Sequence, residues 1–318
     1  MSSVNESIVL VGGGGGVYRV ARFLRLIRPN ITTIQTVFDH GGHSAELRDE
    51  RGVLPPGDIR QAILALSDDN GEQCLRELMS YRFGVMGNSS LNRATVGNIL
   101  LAALTEIYGG LPLAIEALSK LCGVRGQVLP VSLDDAELCV ELSDGSIMSG
   151  EGNIDTRSTD DKRVIRRAFL EPKAHIFVNA YDALVSADKI VLCPGDLYTS
   201  LVPNLLVDGF ADAIRVSSAK VIYCVNIVTK FAETHEHSVG DFIRIVKVHM
   251  GRFPDVSIYN NTELSPELIA KYAEEKSYPV SVKELEGLNG SLLAADLVDE
   301  TGGIVRHHRR IASIIADL

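Results

Sequence analysis

The sequence has few cysteines and no long apolar run. Its five cysteines are scattered and form no CxxC pair, which disfavours a disulfide framework. No apolar stretch approaches the roughly 18 residues that a membrane helix needs. The N-terminus also lacks the basic start and apolar run of a signal peptide. These absences predict a cytoplasmic protein with reduced thiols and no membrane partner.

Basic residues are scarce relative to acidic ones. The chain has 318 residues, with 31 lysines and arginines against 41 aspartates and glutamates, so its net charge is -10. Surfaces that bind nucleic acid or anionic membranes recruit lysine and arginine to neutralise phosphates. The balance therefore argues against a nucleic-acid partner, although it is compatible with a local basic pocket.

Several catalytic signatures are also missing. The sequence contains no nucleophile elbow, kinase signature or P-loop GKS/T motif. No His/Asp pair with spacing suited to hydride transfer stands out. The adjacent acids at 134–135 and 160–161 point in different directions and are interpreted as solvated. No catalytic residue is predicted.

The chain does open with a strand, a glycine turn and a helix. Residues 7–11 form a short apolar run, and apolar residues recur at helical spacing from Val17 to Ile27. Between them lie Gly12, Gly13, Gly14, Gly15 and Gly16. This order is typical of the first unit of a parallel α/β fold.

The remaining pattern predicts one domain over residues 1–318. The fold class is α/β, a Rossmann-like, mostly parallel sheet flanked by helices, with an inserted helical subdomain at 71–122 and a β-hairpin at 143–146. The polar segment 153–167 is expected to be a mobile connection. Other helices are expected at 58–66, 176–185, 202–214, 238–250 and 308–318. Strands are expected at 31–38, 127–132, 137–142, 189–193, 220–225, 256–259 and 291–297.

The glycine run is the first candidate site. Glycines let the backbone approach a phosphate closely, and the helix that follows offers free N–H groups and the positive end of its dipole. The alternative is a tight turn without a ligand. Its placement after a strand and before a helix favours phosphate binding.

The loop DHGGHSAELRDERGVLPPGDIR, residues 39–60, follows the second strand and has almost nothing apolar to bury. Its candidate nucleotide- or phosphate-binding residues are Asp39, Gly41, Gly42, His43, Arg48 and Asp58. A carboxylate at Asp39 suits ribose hydroxyls, or a metal ion shared with His40 or His43. Mg²⁺ prefers carboxylates with waters and substrate phosphates, so Mg²⁺ bound together with a nucleotide diphosphate fits Asp39 better than an imidazole cluster does. No zinc ligand set is evident, and no metal-ligating residue is assigned. Arg48 and Arg60 either pair with nearby acids or reach a phosphate.

Two further loops follow predicted strands. In the loop CPGDLYTS and the turn after it, the candidates are Gly195, Asp196, Tyr198, Thr199, Ser200 and Asn204; the alternative is a helix cap without a ligand. After the strand at 220–225, Asn226 and Thr229 are suited to a base or a sugar. Arg306 belongs to a basic cluster, RHHRR, that is either a solvated face or a diphosphate contact.

These motifs resemble a known family. VGGGGG at 11–16, the loop at 39–60, GNILLAALTEI at 97–107, CPGDLYTSLVPNLL at 193–206, VNIVTKFAET at 225–234 and IVRHH at 304–308 resemble the YvcK-like gluconeogenesis factors. That family is related to 2-phospho-L-lactate transferase. The likeness covers nearly the whole chain, and it adds Asn98 to the candidate residues.

The resemblance implies two functions. One branch binds UDP-sugars such as UDP-N-acetylglucosamine and links carbon metabolism to cell-wall precursor supply and cell shape, which implies a regulated partner enzyme. The other branch transfers a phospholactyl group from a nucleotide diphosphate with the help of Mg²⁺. In both, the motifs place Gly12 to Gly16, Asp39, Gly195, Thr199, Ser200, Asn226 and Arg306 around the nucleotide. A homo-oligomer is compatible with either.

The chain departs from the family pattern at several positions. Gly15 replaces a threonine of the glycine loop, His40 replaces a second aspartate, and His43 replaces a serine. RATVGN at 93–98 replaces GHSLGN. Losing the second aspartate weakens a divalent-metal site, so we expect a nucleotide-sugar-binding regulator, with a transferase as the alternative.

Overall fold

The computed structural model describes residues 5–39, 54–68, 73–85 and 91–318. Within these ranges the strands are β1 (Ile8–Gly12), β2 (Ile31–Gln35), β3 (Gln127–Pro130), β4 (Glu137–Leu142), β5 (Ile147–Ser149), β6 (Ile165–Glu171), β7 (Lys189–Leu192), β8 (Lys220–Cys224), β9 (Val256–Asn260), β10 (Ser291–Ala295), β11 (Val298–Asp299) and β12 (Arg306–His307).

The helices of the same ranges are α1 (Gly14–Leu24), α2 (Gly57–Leu66), α3 (Gln73–Ser80), α4 (Val96–Tyr108), α5 (Leu111–Leu121), α6 (Glu151–Asp155), α7 (Val178–Ser186), α8 (Val202–Leu205), α9 (Phe210–Val216), α10 (Phe231–Thr234), α11 (Val239–Met250), α12 (Pro266–Glu274) and α13 (Arg310–Asp317). A π-helical turn covers Leu197–Leu201. None of these helices combines the length and apolar character that crossing a membrane requires.

Seven strands form one parallel sheet in the order β10-β9-β8-β7-β1-β2-β3. The chain runs outward from β1 to β3, then returns to the other side of β1 to build β7 to β10. At such a reversal the connections after the two central strands leave on opposite faces, which opens a crevice beyond their carboxyl ends. The crevice of this sheet lies between β1 and β7.

The core is centred on these two strands. Every residue of β1 and β7 is buried. Helices cover both faces, since α1 packs against α2 and α13, while α9 packs against α7 and α11. A parallel sheet covered on both faces buries its strands completely, which is why these strands are continuous apolar runs.

Lys189 is the buried charge of β7, with 3% of its surface exposed. Its Nζ lies 2.8 Å from Glu6 Oε2 and donates to the carbonyls of Ile315 and Ala316 at 3.3 and 3.2 Å. A buried ammonium is tolerated only when it is paired in this way. The contact also places a cation at the carboxyl end of α13, where the helix dipole favours it.

A second, antiparallel sheet contains β5, β4 and β6. The hairpin between β4 and β5 turns at Gly145, which has a φ of +83°. The carboxylate of Asp144 accepts the backbone N–H of Ser146 at 2.9 Å. α6 follows directly and carries two acidic residues toward the crevice of the large sheet.

The α/β fold class, the parallel sheet and the hairpin are therefore confirmed. Two local predictions differ from the structure. The segment 153–167, expected to be a polar connection, includes the last residues of α6 and the first residues of β6, while its mobility remains a prediction. The helix expected at 202–214 is interrupted, because Gly209 adopts a φ of +99° between α8 and α9. Helix α12 was not anticipated.

Three helices, α3 to α5, occupy the segment expected to be a helical subdomain. Its description as an insertion within a single domain remains a prediction.

Candidate functional site

The glycine loop meets the loop after β7 at close range. A Cβ atom at Gly16 would lie 1.6 Å from the carbonyl oxygen of Pro194, so this position admits only glycine. By contrast, none of the described residues comes within 4 Å of a Cβ built at Gly15. The first turn of α1 is thus fixed against β7 on one side and open on the other.

The open side faces a cavity of about 390 Å³ at the carboxyl ends of β1, β7 and β8. Ligand cavities typically measure about 300 to 1,000 Å³. The residues around it that carry polar or backbone binding groups are Gly15, Gly16, Arg19, Gly195, Asp196, Asn226, Thr229, Lys230, Tyr272, Glu275, Ser277, Arg306 and His307. Loops distant in the sequence therefore share one cavity.

Two arginines form the basic side of the cavity. Arg19 projects from α1, donates from Nε to the carbonyl of His307 at 2.7 Å, and pairs with Asp299. Burial, and then the positive charge of Arg306, lower the pKa of Arg19. Two guanidinium groups are thus held near each other beside the first turn of α1, an arrangement that an anion would stabilise.

His307 lies next to the two arginines and connects this side of the cavity to the end of β8. It is buried, and its Nε2 lies 3.1 Å from the carbonyl oxygen of Val225. Burial lowers the pKa of His307 to about 4, so the imidazole is neutral near pH 7 and adds no charge to the cavity. The geometry assigns the ring proton to Nε2, which joins β12 to the end of β8.

Lys230 stands on the opposite, acidic side. Its Nζ pairs with Asp155, lies 2.7 Å from Asp196 Oδ2, and lies 3.7 Å from Glu233 Oε1. Burial alone would lower the pKa of Lys230, but the charges of Asp196 and Glu233 outweigh it and raise that pKa. The three carboxylates thus have an ammonium at their centre.

Glu233 joins this cluster to the π-helical turn. Its side chain is fully buried and accepts the backbone N–H of Tyr198 at 2.7 Å and the hydroxyl of Thr199 at 2.8 Å. Burial, and then the charge of Asp196, raise the pKa of Glu233 to about 7. The carboxylate therefore fixes the turn that carries Asp196 into the cavity.

A second carboxylate group lies behind the glycine loop. Burial and the charge of Asp39 raise the pKa of Asp58 to about 7, although the N–H of Gly14 donates to it. Burial, followed by the charge and the hydrogen bond of Asp39, raises the pKa of Glu151 to about 9. These carboxylates repel one another near neutral pH unless one retains a proton or a cation lies among them.

The structure brings several predicted residues together at the cavity: Gly15, Gly16, Gly195, Asp196, Asn226, Thr229 and Arg306. The others lie around it or farther away. Gly12 ends β1, Gly13 precedes α1, and Gly14 begins it. Ser200 lies beside Gly195, where its Cβ is 3.3 Å from the position a Cβ of Gly195 would take.

Other predicted residues have structural partners instead of cavity contacts. Asn204 is buried and donates from Nδ2 to the carbonyls of Gly12 and Ser200 at 3.3 and 2.9 Å. Asn98 accepts Nε of the buried Arg60 at 2.9 Å, which joins α4 to α2.

Four predicted residues, Gly41, Gly42, His43 and Arg48, lie outside the described residues, as does His40.

The sequence analysis did not identify most of the charged residues around the cavity, which we call the charged shell: Arg19, Glu151, Asp155, Lys230 and Glu233. Arg19 could have been found, because it follows Gly15 and Gly16 by about one helical turn and so lies on the same side of α1. Lys230 and Glu233 are spaced i, i+3 within the quoted loop 226–234. Glu151 and Asp155 are spaced i, i+4, but they stand in a segment that offered no periodicity.

A comparison with known protein families identifies the family of this chain. Residues 8–298 match the family model described as 2-phospho-L-lactate transferase CofD. The chain belongs to the CofD family. The resemblance noted in the sequence is thereby confirmed, and the matched region includes every loop of the cavity except the one carrying Arg306 and His307.

Its relatives include proteins named gluconeogenesis factor. The one from Bacillus subtilis is 35% identical over 98% of this chain and 97% of its own length. The one from Halalkalibacterium halodurans is 36% identical over 95% and 93%. A crystal structure of a Bacillus halodurans protein superposes with a TM-score of 0.92 at 35% identity, covering 98% of this chain and 99% of that one. The fold is therefore shared across nearly its full length.

The contact between the two central loops predicts a difference between neighbouring glycines. Gly16→Ala should lower the free energy of unfolding by about 1–3 kcal/mol, because the methyl group meets a backbone carbonyl that has little room to move. Gly15→Ala is the matched control and should leave stability unchanged or slightly raised. Urea denaturation of both variants measures the difference, and equal stabilities would contradict the close approach.

The raised pKa of Glu151 predicts a pH effect on stability. Its folded pKa of about 9 lies above the unfolded value, so the folded protein retains a proton that the unfolded chain releases. The associated stabilisation is present at pH 4 and is lost as the pH rises toward 9. Glu151→Gln, which keeps a hydrogen-bond donor toward Asp39 without the charge, should exceed the wild type by about 1 kcal/mol or more at pH 9 and match it near pH 5.

Thermal denaturation between pH 5 and 9 tests this expectation. The exposed Glu286→Gln serves as the control and should give a curve parallel to that of the wild type. A Glu151→Gln curve that also runs parallel would show that Glu151 retains no proton.

Proposed function

We propose that this protein binds a nucleotide diphosphate sugar, of the UDP-N-acetylglucosamine type, in the cavity between β1, β7 and β8. One observation carries the proposal: the open first turn of α1 and the two arginines, Arg19 and Arg306, face the same cavity at the reversal point of the sheet. Nucleotides bind at this place in open parallel sheets.

The basic side suits the pyrophosphate. The N–H groups of Gly15 and Gly16 have no acceptor within α1 because they lie in its first turn, and the missing side chains leave room for phosphate oxygens. Arg306 is exposed at the mouth, and one of its Nη atoms donates to the carbonyl of Thr301 at 3.1 Å. The remaining donors of its fork suit the bidentate geometry of a phosphate.

The acidic side suits hydroxyl groups. Asp196 and the backbone around Thr229 present acceptors to sugar or ribose hydroxyls, while Asn226 is held in place by its Nδ2 donation to the carbonyl of Gly195 at 2.8 Å. A ligand with an anionic centre and hydroxyl-rich ends matches both sides of the cavity. The choice of uridine rests on the family resemblance.

We also propose Mg²⁺ beside the nucleotide. Asp39, Asp58 and Glu151 are carboxylates, the type of ligand that Mg²⁺ prefers, and a cation would relieve the repulsion that contributes to the raised pKa values of Asp58 and Glu151. In that role Mg²⁺ would neutralise charge on the diphosphate. The group of Asp155, Asp196 and Glu233 fits a metal ion less well, because Nζ of Lys230 already pairs with all three.

The proposed role is regulatory. A bound nucleotide sugar would report cell-wall precursor supply to a partner enzyme, and so link it to carbon metabolism and cell shape. This fits relatives named gluconeogenesis factor, a description that names no reaction.

A transferase is the second candidate. The family model is described as a 2-phospho-L-lactate transferase, and the repelling carboxylates behind the glycine loop supply the oxygen ligands that a Mg²⁺-assisted transfer needs. In such a reaction, an acceptor hydroxyl would attack the phosphorus of the transferred group, and a nucleoside monophosphate would leave.

The nucleotide proposal predicts a specific arginine dependence. Arg306→Gln should weaken binding of UDP-N-acetylglucosamine roughly ten- to hundredfold, because a hydrogen bond to a charged group is worth about 1.5–3 kcal/mol. Arg310→Gln is the matched control, since Arg310 pairs with Asp296 outside the cavity and should retain binding. Isothermal titration calorimetry gives both constants.

Absence of binding by the wild-type protein would refute the proposal, and equal binding by both variants would remove Arg306 from the site. Gly15→Ala provides an independent check, because its methyl group should obstruct the phosphate without destabilising the fold.

An assay for turnover separates the two candidates. With a phospholactyl nucleotide donor, a deazaflavin acceptor and Mg²⁺, the regulator should release no nucleoside monophosphate above the level of a reaction without protein. The transferase would release it in proportion to protein, and Asp39→Asn would abolish the release. Separation of the nucleotides by anion-exchange chromatography gives the answer.

A further inference from the structure

A second cavity, of about 670 Å³, adjoins the nucleotide cavity through a shared wall. Two extended segments, 227–229 and 278–280, form this wall. They are joined by hydrogen bonds from the N–H of Thr229 to the carbonyl of Tyr278 at 2.7 Å and from the N–H of Val280 to the carbonyl of Ile227 at 2.9 Å. Adjacent residues line different cavities: Ser277 lines the first, whereas Lys276 and Tyr278 line the second.

Arg157 places a buried, positively charged guanidinium group at this second cavity. Its side chain lines the cavity and is only 3% exposed. Nη2 donates to the carbonyl of Arg163 at 2.6 Å. Neither Nε nor Nη1 has a hydrogen-bond partner among the residues that the structure describes. A buried guanidinium with unused donors is costly to leave without a partner.

The nearest carboxylate does not satisfy Arg157. Asp161 lies 3.8 Å from its Nε, which is too long for a hydrogen bond. Both oxygens of Asp161 are already engaged by Arg163, at 2.8 Å from Nε and 2.8 Å from Nη2. Glu233 also lines the cavity, but its oxygens accept from Tyr198 and Thr199 on the far side. Nε and Nη1 of Arg157 are therefore left without a hydrogen-bond partner among the described residues.

The rest of the cavity offers flat surfaces and a second cation. The rings of Phe231 and His235 lie 4.6 Å apart, and that of Tyr278 lies 6.4 Å from His235. Nζ of Lys276 stands 5.1 Å from the centre of the Phe231 ring and donates to the carbonyl of Thr159 at 2.6 Å. Aromatic surfaces of this kind stack on planar groups.

We propose that this second cavity is a binding site for a small planar organic anion, with a phosphate or carboxylate group held by Arg157 and a flat body against His235 and Tyr278. The ligand binds beside the nucleotide and not in its place, because the wall of paired segments separates the two cavities. This proposal goes beyond the nucleotide site and does not depend on its occupant.

Glu233 could couple ligand binding in the second cavity to the shape of the first. Glu233 is a lining residue of the second cavity, and its carboxylate fixes the turn that carries Asp196 into the first. A shift of Glu233 would therefore move a wall of the nucleotide site. The second ligand thus has the position of an effector or a co-substrate.

Phenyl phosphate and benzoate are suitable probes, because each joins a flat ring to an anionic group. Calorimetric titration of the full chain should show that at least one binds in the low millimolar range or tighter. Inorganic phosphate and phenol should each bind more weakly than phenyl phosphate, because each has only one of the two features. The stronger of the two probes identifies the preferred anionic group.

Variants then locate the probe. Arg157→Gln should weaken its binding at least roughly tenfold. Arg306→Gln, in the nucleotide cavity, and Arg215→Gln, whose exposed guanidinium pairs with Asp212, should bind it like the wild type. Arg157→Lys should restore only part of the affinity, because an ammonium cannot present the two unused donors together. If Arg157→Gln does not fold, Lys276→Gln replaces it and should also weaken binding.

Two results would overturn the proposal. One is the absence of binding by either probe at millimolar concentration. The other is a loss of binding in Arg306→Gln but not in Arg157→Gln, which would place the probe in the nucleotide cavity. Titration of the same variants with UDP-N-acetylglucosamine keeps the two proposals distinguishable, since Arg157→Gln should still bind the nucleotide sugar.

Discussion

The close approach of the glycine loop to the loop after β7 is the constraint on which the site depends. A side chain at Gly16 would collide with the carbonyl oxygen of Pro194, so the two central strands can place their carboxyl ends together only with a glycine there. Asn204 strengthens the contact, because its amide donates to the carbonyls of Gly12 and Ser200 across the same gap. Both walls of the cavity at the ends of β1, β7 and β8 start from this point.

The second constraint is electrostatic. The fold holds like charges near each other in two places: Arg19 near Arg306 on one side, and Asp39 near Asp58 and Glu151 on the other. Near neutral pH, the repulsion within each group of like charges lowers the stability of the fold. Packing elsewhere, above all the fully buried strands β1 and β7, must offset the repulsion. A ligand that neutralises either group therefore binds more tightly, because folding has already placed the charged side chains that contact it.

Much of the fold could be predicted from the sequence, because its signals are local. The apolar run before Gly12 and the helical spacing after it fix β1 and α1, and the parallel order places the loops after β1, β7 and β8 at one edge. The charged shell could not be predicted in the same way. Glu151 reaches the site only because β4 and β5 form a hairpin that delivers α6 there, and Lys230 meets Asp155 across 75 residues of sequence. The hydrophobic periodicity of the sequence gives no information about contacts between residues so far apart in the chain.

The wall between the two cavities explains why one short segment carries so many functional groups. Within 226–235, Asn226, Thr229 and Lys230 line the first cavity, whereas Phe231 and His235 line the second. Pairing with residues 278–280 holds this segment as a wall with one cavity on each side. The buried Glu233 lines the second cavity and bonds the turn that carries Asp196 into the first. Any movement of that carboxylate would therefore affect both cavities, so the two are physically connected although the wall of paired segments separates them.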